Sequence, residues 1–72
     1  MNPVVIHIIN IKTQLISAEL TFDGTTLESD TAKFDTLIDF YRAQGKSDKA
    51  IAKKLSGWTN GVEAASVISG EI

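Results

Sequence analysis

The stretch ISAELTF at residues 16–22 alternates apolar and polar side chains, and Asp23-Gly24 follows it with a turn signal. A period of two sets Ile16, Ala18, Leu20 and Phe22 on one side of a strand and Ser17, Glu19 and Thr21 on the other. The expectation is a strand with its even positions on a core and its odd positions in water. Asp-Gly supplies the positive φ angles of a two-residue hairpin loop. Such a loop pairs Phe22 with Thr25 and Leu20 with Leu27, which places Leu27 on the buried face. Continuing that third strand would set Glu28 opposite Glu19, a like-charge pair that sheets avoid, so the strand is expected to be short.

Residues 4–11 form a continuous apolar run rich in β-branched side chains, with Val4, Ile6 and Ile8 on one side and Val5, Ile9 and Ile11 on the other. A run of this kind suits a central strand covered on both faces. Read as an edge strand, it offers Val5, His7 and Ile9, together with unpaired backbone groups, to an extended segment of a partner. Either way, residues 1–28 make an antiparallel meander of about three strands, which needs a helix to cover it.

Ser29 or Asp30 can cap that helix. Phe34, Leu37, Ile38 and Tyr41 then fall at i, i+3, i+4 and i+7, an apolar stripe that can lie on the sheet, with Phe40 off the stripe. Gly45 is positioned as a left-handed stop. Ser47 can cap a second helix with Asp48 in its first turn, where the dipole favours a carboxylate; Ile51 and Leu55 share one face and Lys49 and Lys53 the other. Beyond Trp58 two readings stand. Thr59 can cap a third helix through Val62, Ala65 and Ile68, or the Asn60-Gly61 turn can fold residues 55–67 back as a β-ribbon. The fold class expected is α+β in a single domain: a β-meander over 1–28, then two or three short helices over 29–72.

With 72 residues there is room for one core, and with no cysteine that core has no disulfide or thiolate-metal staple, so packing or a partner must hold the fold. The N-terminus lacks a basic region ahead of its apolar run, no small-residue cleavage site follows, and the run is far short of a membrane span; a cytoplasmic protein without a membrane partner is expected. His7, the single histidine, lies inside an apolar strand without a triad or metal-ligand spacing around it, and the five glycines build no phosphate loop. The chain therefore reads as a non-enzyme without cofactor, metal or small-molecule substrate.

Charge is unevenly spread. The net charge is −2, yet residues 42–54 carry Arg42, Lys46, Lys49, Lys53 and Lys54 against Asp48 alone. Within this basic stretch, Gly45, Ser47, Ile51, Ala52, Leu55, Ser56 and Val62 occupy places that resemble the helix-turn-helix of response-regulator output domains and resolvases. The resemblance covers residues 45–62. It implies that small Ala52 lets two helices cross steeply, with Ile51, Leu55 and Val62 wedged between them.

In those families the second helix of the pair enters the major groove. Here that helix would span residues 59–68, where Asn60 is the one base reader and Glu63 the one charge, and no basic residue follows Lys54. Lys46, Lys49, Lys53 and Lys54 remain candidate phosphate contacts, with Asn60 a candidate base contact. The surface otherwise suits a protein partner, to be met by Val5, His7 and Ile9 on the strand and by Tyr41, Arg42 and Trp58 on the helical side, aromatics and arginine being enriched at binding hot spots. The expected function is a small regulator, inhibitor or adaptor that binds a protein, with the resemblance implying a component of the transcription machinery such as RNA polymerase. The alternative is a dimeric, sequence-specific DNA-binding regulator.

Overall fold

The computed structural model describes residues 3–24, 27–29, 31–70 and 72, with Glu28 described by its backbone alone. Four strands and two helices follow in the order β1 (Val4–Asn10), β2 (Ile16–Phe22), β3 (Leu27–Ser29), α1 (Ala32–Ala43), α2 (Asp48–Ser56) and β4 (Glu63–Ser69). The strands form one antiparallel sheet in the order β3-β2-β1-β4, and both helices lie on the same face of it.

The continuous apolar run becomes β1, and it is central: β2 pairs along one edge and β4 along the other. The edge-strand reading of residues 4–11 is therefore corrected, because the backbone groups it would have offered to a peptide are used within the sheet. Cover on both faces is corrected as well. Ile6 and Ile8 are 0% exposed beneath the helices, whereas Val5, His7 and Ile9 on the opposite face are only half-buried by their own neighbours.

Strand β2 follows its alternation from Ala18 to Phe22, with Ala18, Leu20 and Phe22 buried. Ile16 breaks it. A register shift between Ile8 and Ile9 places Ile9 opposite Ile16 while Ile8 stays opposite Ala18, so Ser17 is the extra residue of a bulge and Ile16 is 59% exposed instead of inward. The hairpin after β2 also differs in register. Phe22 pairs with Leu27 and Leu20 with Ser29, two residues along from the two-residue-loop expectation, whose Thr25 partner lies outside the described residues. A shift of two keeps side-chain parity, so Leu27 still packs on the core. It also sets Glu28 opposite Thr21 and leaves Glu19 opposite His7, which removes the like-charge conflict.

Helix α1 buries Phe34 and Ile38 on the sheet, with Leu37 and Tyr41 half-buried beside them, while Phe40 projects at 59% exposure. Burial of Phe34 and Ile38 contributes roughly 1.5–3 kcal/mol each to holding α1 on the sheet. The cap falls at Thr31, which makes no side-chain cap bond; Asp30 lies outside the described residues, and the Ser29 hydroxyl instead donates to the Thr31 carbonyl and accepts from its N–H. Gly45 turns the chain at φ +83°, and the Ser47 hydroxyl caps α2 by accepting from Ala50 N–H at 3.3 Å. Ile51, Ala52 and Leu55 of α2 are buried against β1, β2 and β4.

Beyond α2 the third helix does not form, and the ribbon reading of residues 55–67 is met in part: Leu55 and Ser56 end α2, the chain folds back at Asn60-Gly61, and the returning strand β4 pairs with β1. Gly61 adopts φ +87°, and Asn60 Oδ1 accepts from the N–H groups of Val62 (3.0 Å) and Glu63 (2.7 Å), which fixes a tight turn. Thr59 bridges Ala64, and Ala65 N–H donates to the Trp58 carbonyl at 3.1 Å. Two influences favour the strand over a helix here. The Asx turn reverses the chain, and the open edge of β1 offers a full ladder to the returning segment. The sheet thus has four strands, and the last of them belongs to the half of the chain expected to be helical.

Candidate protein-binding surface

The residues picked out along the sequence do not meet at one place. Val5, His7 and Ile9 lie in a row on the uncovered face of β1, with His7 Nε2 2.9 Å from Glu19 Oε2 on the adjacent strand. Tyr41, Arg42 and Trp58 belong to the other side of the sheet. Tyr41 is half-buried against the core, and Trp58 packs edge-on against Phe34 with ring centroids 5.4 Å apart, which makes it a core-capping residue more than a contact residue. Arg42 is exposed and reaches Asp48 at 3.3 Å, bridging the end of α1 to the start of α2.

The candidate nucleic-acid contacts also divide. Lys49, Lys53 and Lys54 are exposed on α2 and Lys46 is half-buried before it, but Asn60 sits in the turn ahead of β4 with its side-chain oxygen already occupied by two backbone donors. The element expected to enter a major groove is a turn and an edge strand. Val62, expected as part of the wedge between two helices, is 58% exposed, and Ile51 and Leu55 pack onto the sheet instead.

A surface that sequence reasoning did not pick out lies at the end of the sheet where β1, β2 and β4 meet. Ile11, Leu15, Ile16 and Val62 are 50%, 68%, 59% and 58% exposed. Backbone bonds draw them together: Ile11 N–H donates to the Val62 carbonyl at 2.8 Å, Asn10 N–H donates to the Leu15 carbonyl at 2.8 Å, and Ile16 stands opposite Ile9. The loop is tied down by Asn10 Oδ1, which accepts from Lys12 N–H (3.0 Å) and Thr13 N–H (2.9 Å), and by Gln14, which takes the left-handed conformation at φ 61°. Four exposed aliphatic residues are thus tethered through their backbones at one tip, with Ile16 paired to Ile9 of the uncovered face.

Two signals in the sequence bore on this tip. Ile11 and Leu15 bracket the polar Lys12-Thr13-Gln14, a spacing too short to bury both in one strand, and Leu15-Ile16 doubles an apolar position where the alternation allows one. The exposure of Ile16 itself follows from the bulge, which carries no local sequence mark.

Below the tip, Lys33 of α1 reaches Glu63 Oε1 at 2.6 Å, at the first residue of β4. The Lys33 ammonium, with further hydrogen bonds from Ser17 and Asn60, holds the Glu63 carboxyl below the usual carboxylate range against a smaller opposing effect of burial. This pair fastens the start of β4 to the helical layer. Among the described residues no group of three or more histidine or acidic side chains is placed to hold a metal ion, and no helix is long and apolar enough to cross a membrane. Comparison with protein-family models, with curated proteins and with solved structures finds no match.

Proposed function

We propose that the chain is a small non-enzymatic regulatory protein that works by docking a protein partner at the sheet tip formed by Ile11, Leu15, Ile16 and Val62, extending onto the uncovered face of β1. The observation that carries this reading is the group of exposed aliphatic residues tethered through their backbones. Four such side chains expose apolar surface on the order of a few hundred Å2, the scale at which a patch on a small protein marks an interaction site. A contact seated there meets an apolar centre with polar groups around it, Lys12 and Thr13 on the loop and His7 with Glu19 on the face, which is the usual anatomy of an interface. Assignment of the partner to the transcription machinery rests on the helix-turn-helix resemblance of residues 45–62 alone. The DNA-binding alternative is less favoured, because the segment expected to read bases is an Asn60-Gly61 turn followed by β4.

The test uses the immobilised protein against purified RNA polymerase and against a nuclease-treated lysate. A discrete protein should be retained, and Leu15→Ser with Ile16→Ser should abolish that retention while leaving the thermal unfolding transition in place. Retention that persists in the double variant, or that disappears with nuclease, defeats the reading.

A further inference from the structure

The exposed charges of the helical layer are unevenly paired. Among the described residues the ion pairs are His7–Glu19, Lys33–Glu63 and Arg42–Asp48, and none of them includes Lys46, Lys49, Lys53 or Lys54. Lys49 and Lys53 stand one helical turn apart on the side of α2 away from buried Ile51, Ala52 and Leu55, and Lys54 adjoins them. The one acid of α2, Asp48, is half-buried and held by Arg42. On the neighbouring helix α1 the two bases, Lys33 and Arg42, are engaged by Glu63 and Asp48, while Asp35 and Asp39 are exposed outside the ion pairs found among the described residues. A protein of net charge −2 therefore presents exposed lysines outside those pairs on α2, next to a helix whose own bases are paired.

We propose that the outward face of α2, through Lys49, Lys53 and Lys54, is a steering strip for an acidic segment of a partner protein. The proposal rests on the reading of this chain as a partner-binding protein and says which chemistry that partner carries. The width of the strip decides among occupants. Packed helices lie about 8–10 Å apart, so anything much broader than one helix placed over α2 also lies over α1. A nucleic-acid duplex, whose major groove alone is about 12 Å wide, would bring its phosphates onto Asp35 and Asp39. An acidic helix or extended segment is about as wide as α2 itself and meets the lysines alone.

A second copy is disfavoured for a different reason. It would have to associate through exposed charge pairs, which are individually weak and which by themselves do not meet the entropic cost of joining two molecules. An acidic segment of a partner already held at the tip escapes that cost, because the second contact is then intramolecular. The lysines accordingly raise the association rate and set its salt dependence, more than they slow dissociation.

The experiment titrates the full chain, at low and at physiological salt, with an oligoglutamate of about twelve residues, an oligolysine of the same length and a short DNA duplex, reading backbone amide shifts. Oligoglutamate should shift amides of residues 46–54 and no others, with affinity falling roughly tenfold as screening rises. Lys49→Glu with Lys53→Glu should remove the response, and Leu15→Ser with Ile16→Ser should leave it intact. That last variant separates the two proposals, since the tip reading stands or falls on partner retention and the strip on oligoglutamate. Absence of shifts at low salt, shifts centred on Lys12 or Lys33, tighter binding of the duplex than of oligoglutamate, or self-association lost on charge reversal would each overturn the assignment.

Discussion

Strand β1 has two faces made of the same kinds of side chain and treated in opposite ways. On one, Ile6 and Ile8 are sealed beneath α1 and α2; on the other, Val5 and Ile9 flank His7 with no layer above them. β-branched side chains suit a pleated sheet wherever they stand, so composition alone does not say which face is to be covered. The difference lies in what faces them. The Phe34–Tyr41 stripe and the Ile51–Leu55 pair supply apolar cover for one side, and among the described residues no third helix stands over the other. The open face can meet water because Val5 and Ile9 share it with His7, Glu19, Thr21 and Ser66.

The largest effect expected from this contrast is a difference between neighbours. Ile8→Ala should destabilise the fold by about 2–5 kcal/mol, since it removes a side chain at 0% exposure from the centre of the sheet. Ile9→Ala, on the open face, should cost well under half as much in the same denaturant titration. Equal losses would mean that the open face is covered in solution, by a second copy or by a bound molecule.

A smaller effect is expected at the bond that joins the two layers at the tip. Glu63 has a depressed folded-state pKa, so its pairing with Lys33 contributes stability that is fully present at neutral pH. That contribution is lost as pH falls through the folded pKa, below the ordinary carboxylate value of about 4.3. Melting curves followed from neutral pH to strong acid should show a component in this window that is missing from Glu63→Gln. A variant profile that matches the parent would show the pair to be energetically silent.

The smallest effect on stability should come from the open face and tip. His7→Thr combined with Glu19→Thr, and separately Leu15→Ser, should each move the unfolding midpoint by no more than the equivalent of about 0.5 kcal/mol. Losses above that would relocate these residues from the binding surface to the core. Partner retention, by contrast, should be far more sensitive to Leu15→Ser than to Ile8→Val, which leaves the surface unchanged.

Much of this architecture was legible beforehand. The alternation of β2 from Ala18 to Phe22, the stripe of α1, the Gly45 stop and the Ser47 cap follow from side-chain period and local backbone chemistry, and these act within a few residues of one another. What escaped was set by partners far along the chain. The fate of residues 59–68 depended on the vacant edge of β1, some fifty residues earlier, for which the Asn60-Gly61 turn was a hint but not a decision. The exposure of Ile16 depended on a bulge facing Ile9, and the tip was missed with it, because a one-residue shift exchanges the faces of everything beyond it. The lysines of α2 were read as exposed, and they are; their isolation from carboxylates needed the positions of Asp48 and Glu63.

The sheet order carries a temporal consequence. β4 pairs with β1, so the most apolar strand of the molecule waits for the last one before its second edge is closed. Until then a nascent or partly folded chain displays β1 as a bare, uncharged template, the kind of segment that recruits other chains into aggregates. Local contacts form fast and the joining of distant strands is slow, so the hairpin and helices are ready well before that closure. Any change that delays the docking of β4 is therefore expected to lower the yield of folded protein, even where the finished core is left intact.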